Sequence, residues 1–346
     1  MKKEERLEFV MECGQLTAPV QANPVQDETK KRGISGSTIK IIAVVAMLID
    51  HVAAALLTRM LIQRGMLEIG MLDFEQQVNW VMKNAALYYG VTFMRLVGRL
   101  GFPIFCFLLV EGFQKTRNVG KYAFRLGLFA LISEIPFDLA CSGKVLEFGY
   151  QNVYFTLLIG ILALWAFDFF AKHDLKKGLQ IVLTVAGILL MPAYVALVAR
   201  NMFGVQFVVA YAVSVVVMLL IYVIYRHVKG SDKAWRMCAD LAVLPIAMFL
   251  ADNLRTDYSG MGVLTIVMMY VFRKRKVISM LAGCIVLTLM SFSEITAFFA
   301  LIPIALYNGK RGLKMKYFFY AFYPVHLFLI WLVALLMGMG WISAIG

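Results

Sequence analysis

The chain is dominated by apolar runs of about 20 residues, separated by short segments in which Lys and Arg collect, and few folds accommodate that pattern. An α-helix of about 20 residues crosses the ~30 Å hydrocarbon core of a bilayer with its backbone polar groups satisfied internally. Of 346 residues, 61% are hydrophobic and only 16% charged, so a soluble domain could not hide these runs. The expected fold is all-α, a polytopic transmembrane helical bundle of about 10–11 spans. The runs lie near 39–59, 86–113, 122–140, 153–171, 179–199, 204–225, 237–251, 259–272, 277–291, 295–307 and 317–338. Those at 259–272 and 295–307 are short enough for half-spans or tilted pairs.

Orientation follows from the basic loops. Only Arg59, Arg64, Lys83, Lys144, Arg200 and Arg255 fall on one side, against about four times as many Lys and Arg on the other. This bias predicts a cytoplasmic N-terminus and explains the net charge of +13 without nucleic acid. Residues 1–38 read as a polar cytoplasmic tail, with no cleavable signal peptide, helical over KKEERLEF and loose through Pro19 and Pro24; residues 39–346 read as the membrane domain. Ser37 or Thr38 is the expected cap of the first span. The five cysteines show no CxxC pair or metal-ligand spacing and read as reduced or lipid-buried thiols.

Within the first run, IKIIAVVAMLIDHVAAALLTR, Lys40 stands at the mouth and an Asp50-His51 pair at mid-depth. An ionisable pair inside an apolar span is costly and points to function. The eleven-residue step from Lys40 to His51 turns back to within about 20° and advances about 16 Å, so both occupy one helix face. Asp50 points about 100° away and should serve another partner. A neutral His51 suits a general base; the blander alternative is a packing histidine bonded to a carbonyl.

Arg95 and Arg99, four residues apart on the second run, need partners inside hydrocarbon. The sequence offers Asp50, Glu134 and Asp138, and such a cluster either fixes helix packing or frames an active site. His326, in YAFYPVHLF, is a second intramembrane histidine; with Tyr323 it reads as an interfacial hydrogen-bonding belt or as a substrate contact. The turn Tyr307-Asn308-Gly309-Lys310-Arg311-Gly312, followed by Lys314 and Lys316, either obeys the positive-inside rule or holds phosphates. Asn152 and Asp257 either line an outer vestibule or sit in solvated loops. No HExxH, Ser-His-Asp or metal-ligand arrangement is present.

The segments IIAVVAMLIDH, MRLVGRLGFPIFCFLLVEGF, YAFRLGLFALISEIPFDLA, Asn152 to Thr156, and YNGKRGLKMKYFFYAFYPVHL occur in order and resemble the TraX family of membrane proteins. That family is tied to N-terminal acetylation of pilin and looks like a branch of the wider transmembrane acyltransferases. Those carry a basic residue, ten intervening positions and a histidine on an early span, a pattern Lys40 and His51 fit with Lys for the commoner Arg.

The resemblance implies an acetyltransferase of a bacterial cytoplasmic (inner) membrane, with acetyl-CoA on the cytoplasmic side and no metal. His51 would be the base, beside Asp50, and Arg95 or Arg99 would stabilise the oxyanion. Lys40, Arg117, Tyr307, Asn308, Lys310, Arg311 and Lys316 are candidates for coenzyme A, and Glu134, Asp138, Asn152, Asp257, Tyr323 and His326 for the acceptor. Peptide amine, glycan, lipid-linked sugar and small molecule all stay open as acceptors. The rival expectations are a secondary transporter or flippase using the buried charges as a relay, and a non-catalytic partner in a membrane assembly.

Overall fold

A computed structural model describes residues 33–313 and 316–344. The expected N-terminal tail helix, the stretch through Pro19 and Pro24, Cys13 and Lys314 lie outside the described residues. The first helix, α1 (Gly36–Gln63), begins one turn earlier than its apolar pattern. Ser35 is the cap: it is extended, and its Oγ accepts the Thr38 N–H at 3.3 Å. Ser37 is already helical, and its Oγ accepts from the Leu313 N–H at 3.0 Å. The N–H groups of Gly36 and Ser37 donate to the carbonyls of Lys310 and Arg311 at 2.8 and 3.0 Å, so a returning segment satisfies donors that a helix start leaves open.

Just past His51, Val52–Leu57 widens into a π-helical turn. Thr58 Oγ1 reinforces it by donating to the Ala53 carbonyl, five residues back, at 2.9 Å. Such turns are rare and gather at functional sites. Because the helix continues to Gln63, Arg59 is not the far-side loop cation that the charge pattern suggests. It is fully buried and donates to the carbonyls of Ile342, Ala55 and Leu139 at 2.7, 2.9 and 2.9 Å, tying three segments together.

A short helix α2 (Phe74–Lys83) is closed by an Asp73 and Gln76 capping box. The chain then returns as α3 (Ala85–Gly98) and α4 (Gly101–Lys115). The sequence suggests one span here; the break falls at Arg99 and Leu100, because Pro103 has no N–H for the Arg99 carbonyl four residues earlier. There follow α5 (Val119–Cys141), α6 (Val153–Lys172), α7 (Lys177–Phe203), α8 (Phe207–Lys229) and α9 (Ser231–Asn253). The last four are α10 (Ser259–Val271), α11 (Lys276–Met290), α12 (Phe292–Leu306) and α13 (Lys316–Leu336).

Each apolar run meets a helix, with α3 and α4 counted together, and the chain is an all-α polytopic bundle. Among the described residues, seven stretches are long and apolar enough to cross a membrane by length and composition: α1, α3 with α4, α6, α7, α8, α9 and α13. Helix α5 has 23 residues but carries Lys121, Arg125, Glu134 and Asp138. The short α12 gains reach by opening with nine 3₁₀ residues, Phe292–Ala300, before six α-helical ones. At about 2.0 and 1.5 Å per residue it spans about 27 Å, against about 22 Å for an α-helix throughout.

Close approaches between helices rest on glycine. A Cβ on Gly98 would collide with the Asp50 side chain, which seats α3 on α1, and one on Gly187 would enter the Cys238 backbone, which seats α7 on α9. Helix α10 packs against α4, α6, α9 and α11. The α7–α8 hairpin is marginal: only 6% of the most apolar stretch of α8 is buried, against 56% for α9.

Candidate functional site

At the basic end, an open pocket of about 510 Å³ lies between α1, α4, α5, α6 and α13. Its lining includes Lys40, Lys115, Arg125 and Arg311 but one carboxylate, Glu111, with Phe105, Leu108, Leu126 and Leu157 as apolar wall. Lys115 Nζ and the Tyr307 hydroxyl both donate to Glu111 Oε1 at 2.7 Å. Burial, and then that bond to Glu111, push the Tyr307 phenol above its ordinary value. Among the described residues, Lys40, Arg125 and Arg311 form no ion pair with a carboxylate. Lys40 Nζ lies 5.5 Å from the Phe319 ring centre. A cationic mouth over an apolar wall suits an amphipathic molecule with a polyanionic head.

The pocket reaches inward to Tyr154. That residue sits at mid-depth because Asn152, which caps α6, donates through Nδ2 to the carbonyl of Ala130, midway along α5, at 2.8 Å. The Tyr154 ring meets Tyr323 edge-on at 5.0 Å, and the Tyr323 ring meets His51 edge-on at 5.8 Å. One aromatic side chain therefore separates the inner end of the pocket from the imidazole.

His51 is paired with His326, with Nδ1 and Nε2 2.6 Å apart and the rings stacked at 4.9 Å. The partners assign the protons. His326 Nδ1 lies 2.7 Å from the Phe322 carbonyl, which can only accept, so this nitrogen carries hydrogen. In the neutral ring Nε2 is then bare and accepts from His51 Nδ1–H. His51 Nε2 is left with its lone pair free to take a proton.

Asp50, adjacent in sequence, faces another way. Its Oδ2 accepts from Arg95 at 2.6 Å, while Oδ1 is buried without a hydrogen-bond partner. Arg99 pairs with Glu294 at 3.0 Å, and Glu294 is 1% exposed with Oε2 unpartnered. Beside these pairs lies the loop between α9 and α10, where Arg255, Tyr258 and, as the first residue of α10, Ser259 adopt left-handed φ of 51°, 63° and 45°. That conformation is costly for residues other than glycine and needs support from its surroundings. The Tyr258 ring stacks on Phe102 at 3.6 Å, Thr156 Oγ1 donates to the Asp257 carbonyl, and Tyr150 donates to Asp257 Oδ1 at 2.6 Å. Burial and then the Asp257 charge raise the Tyr150 phenol, so it donates rather than ionises; burial likewise raises the Asp257 carboxyl, against the Tyr150 bond.

A family model described as TraX protein matches residues 35–249 and 193–334. The chain belongs to the TraX family. A relative named probable fimbrial assembly protein FimC, serogroup H1, from Dichelobacter nodosus, is 27% identical over 306 residues, which cover 86% of this chain and 94% of the relative. No solved structure gives a significant match.

In this TraX-family bundle the sequence candidates fall into three places. Lys40, Tyr307 and Arg311 line the basic pocket. Arg117, Asn308 and Lys310 do not: Arg117 is exposed on a loop, Asn308 Oδ1 accepts from the Lys310 N–H at 2.9 Å, and the turn offers carbonyls to α1 rather than N–H groups to a ligand. The Lys316 side chain lies outside the described residues. His51, His326 and Tyr323 meet at mid-depth; Tyr323 is 3% exposed and so belongs to the core, not to an interfacial belt.

Of the carboxylates offered to the arginines, Asp50 takes Arg95, but Glu134 and Asp138 take neither. Glu134 Oε2 accepts from Asn152 Nδ2, and Asp138 Oδ2 accepts the Glu147 N–H at 2.8 Å. Glu294 went unread because it is far from Arg99 in the chain. Arg125, Glu111, Lys115, Tyr122 and Tyr154 were also missed as pocket residues. Arg125 alone had a signal, a lone cation within an apolar run.

Proposed function

We propose that this TraX-family protein is a membrane acetyltransferase of the wider transmembrane acyltransferase type, in a bacterial inner membrane. It moves an acetyl group from cytoplasmic acetyl-CoA to an acceptor entering from the other side. The observation that carries the reading is the alignment of a basic pocket, one aromatic layer and a histidine whose Nε2 is bare. Lys40, Arg125 and Arg311 would meet the phosphates of coenzyme A, and the apolar wall its pantetheine arm. His51 Nε2 takes the acceptor's proton as the acceptor adds to the thioester carbonyl, then returns it to the departing sulfur. His326 holds the His51 ring in the tautomer this needs.

The acceptor remains a peptide amine, a glycan, a lipid-linked sugar or a small molecule. The fimbrial name of the relative makes a peptide amine the first to try. One observation favours the rival transporter or flippase: among the described residues four buried carboxylate oxygens, on Asp50, Glu134, Asp240 and Glu294, lack hydrogen-bond partners, as groups of an ion relay would.

Binding and hydrolysis of acetyl-CoA by the purified protein in nanodiscs decide between the two. Wild type should bind it and release thiol slowly, and folded His51→Ala should still bind while losing release by about 100-fold or more. Absence of binding to either protein would sink the acetyltransferase and leave the relay.

A further inference from the structure

The proposed reaction builds negative charge on the thioester oxygen, and the arginines nearest His51 are already committed. Arg95 is bonded to Asp50 and Arg99 to Glu294. A guanidinium held by a carboxylate has part of its field cancelled and a donor engaged.

Among the described residues around the histidine pair, Tyr323 carries a donor that is not committed. Tyr323 is 3% exposed, and its hydroxyl is buried with no hydrogen-bond partner. Burying an unpaired hydroxyl is unfavourable, and phenylalanine would fill the same space without that cost. The ring stands edge-on to His51 at 5.8 Å, to His326 at 5.7 Å and to Tyr154, at the inner end of the pocket, at 5.0 Å. It thus lies where a molecule entering by the pocket would first reach the imidazoles. Its backbone position is set by the same turn of α13 that offers the Phe322 carbonyl to His326. Donor and base are therefore fixed by one rigid element.

From this we infer that Tyr323 is the oxyanion donor of the reaction, a catalytic residue whose O–H donates to the carbonyl oxygen of the acetyl group. The inference rests on the acetyltransferase reading and assigns the oxyanion role to the phenol instead of an arginine. As the acceptor's lone pair forms its bond to the carbonyl carbon, the C=O π pair moves to oxygen and His51 Nε2 takes the acceptor's proton. The oxyanion re-forms C=O, the C–S bond breaks, and the sulfur receives that proton. Tyr323 keeps its own proton throughout and supplies only the hydrogen bond, strongest when the oxygen is most negative.

The test uses full-length protein in nanodiscs, acetyl-CoA as donor and water as acceptor, with thiol release as readout. Tyr323→Phe should bind acetyl-CoA like wild type and lose about 100-fold in kcat, as when one oxyanion donor is removed. KM should stay within about threefold. Fluorotyrosine at position 323, a more acidic phenol of nearly the same size and so a stronger donor, should exceed the wild-type rate, which a packing role for the ring would not produce.

A Tyr323→Phe protein with wild-type kcat, or one whose loss lies in KM, overturns the assignment while leaving the acetyltransferase intact. If Tyr323→Phe fails to fold, the fluorotyrosine series decides: a rate that does not rise as the phenol becomes more acidic overturns it. If wild type turns over no acetyl-CoA, the acetyltransferase reading falls and takes this one with it.

Discussion

The basic end of the bundle and its interior treat charge in opposite ways. At the basic end Lys40, Arg125 and Arg311 line an open pocket and, among the described residues, form no ion pair with a carboxylate. In the region beside His51, Arg95 and Arg99 are each held by a carboxylate with little exposure. Cations left unpaired near water keep their field for a ligand, whereas cations in low dielectric must be neutralised to exist at all. The pocket charges therefore read as recognition and the deeper pairs as architecture around a reacting centre.

The largest effect should come from splitting a deep pair. Glu294→Ala leaves Arg99 uncompensated and should cost about 3–5 kcal/mol, seen as a large fall in the unfolding temperature in detergent. Replacing both partners, Arg99→Met with Glu294→Met, should recover most of that loss, because the burial penalty of both charges disappears with their attraction. A double variant as unstable as the single one would mean that the pair is not merely architectural.

Part of this contrast was legible in the sequence. Apolar runs announce helices, and Lys40 to His51 is a spacing within one helix, so the span order and the face joining them could be read. The Asp50 and Arg95 pair was within reach because both stand out as charges in adjacent apolar runs. His51 with His326, and Arg99 with Glu294, join residues brought together only by tertiary packing, and no local periodicity encodes such a contact. The π-helical turn after His51 was hidden for a different reason: its sequence, VAAALL, is ordinary helix-forming composition. The turn at Tyr307 to Gly312 misled because composition counts its lysine and arginine but does not reveal that its carbonyls are spent on capping α1.

The next effect is steric. Gly98→Ala places a methyl group against Asp50, and overpacking of this kind should cost about 1–3 kcal/mol. Because Asp50 adjoins His51, thiol release from acetyl-CoA should fall by more than the stability loss explains. Gly187→Ala, which presses on the Cys238 backbone far from the histidines, should cost similar stability with activity per folded molecule unchanged. Equal activity losses in the two variants would break the link between the Asp50 contact and the reacting centre.

At the basic end the expectation reverses. Arg311→Ala should weaken acetyl-CoA binding about tenfold, about 1.4 kcal/mol, with the unfolding temperature nearly unchanged. Arg117→Ala, on a loop outside the pocket, is the matched control and should leave binding at the wild-type value. Higher salt should shrink the difference between wild type and Arg311→Ala, as expected for charges open to solvent. Equal loss in both variants would mean that general basicity, not this pocket, attracts the ligand.

The smallest effect belongs to the α7–α8 hairpin, where apolar side chains are as plentiful as elsewhere but face outward. Val216 and Val217 are 56% and 48% exposed, and in a bilayer such positions exchange lipid contacts for lipid contacts. Val216→Leu should therefore change stability by no more than about 0.5 kcal/mol and leave acetyl-CoA turnover untouched. A charge at the same place is different in kind. Val216→Lys pays for a cation in hydrocarbon, about 2.5–3.5 kcal/mol at mid-span on insertion scales, where Arg95 is spared because Asp50 accompanies it. If Val216→Lys were tolerated as well as Val216→Leu, α8 would not be lining lipid, and the contrast between paired interior charges and an uncharged margin would lose its physical basis.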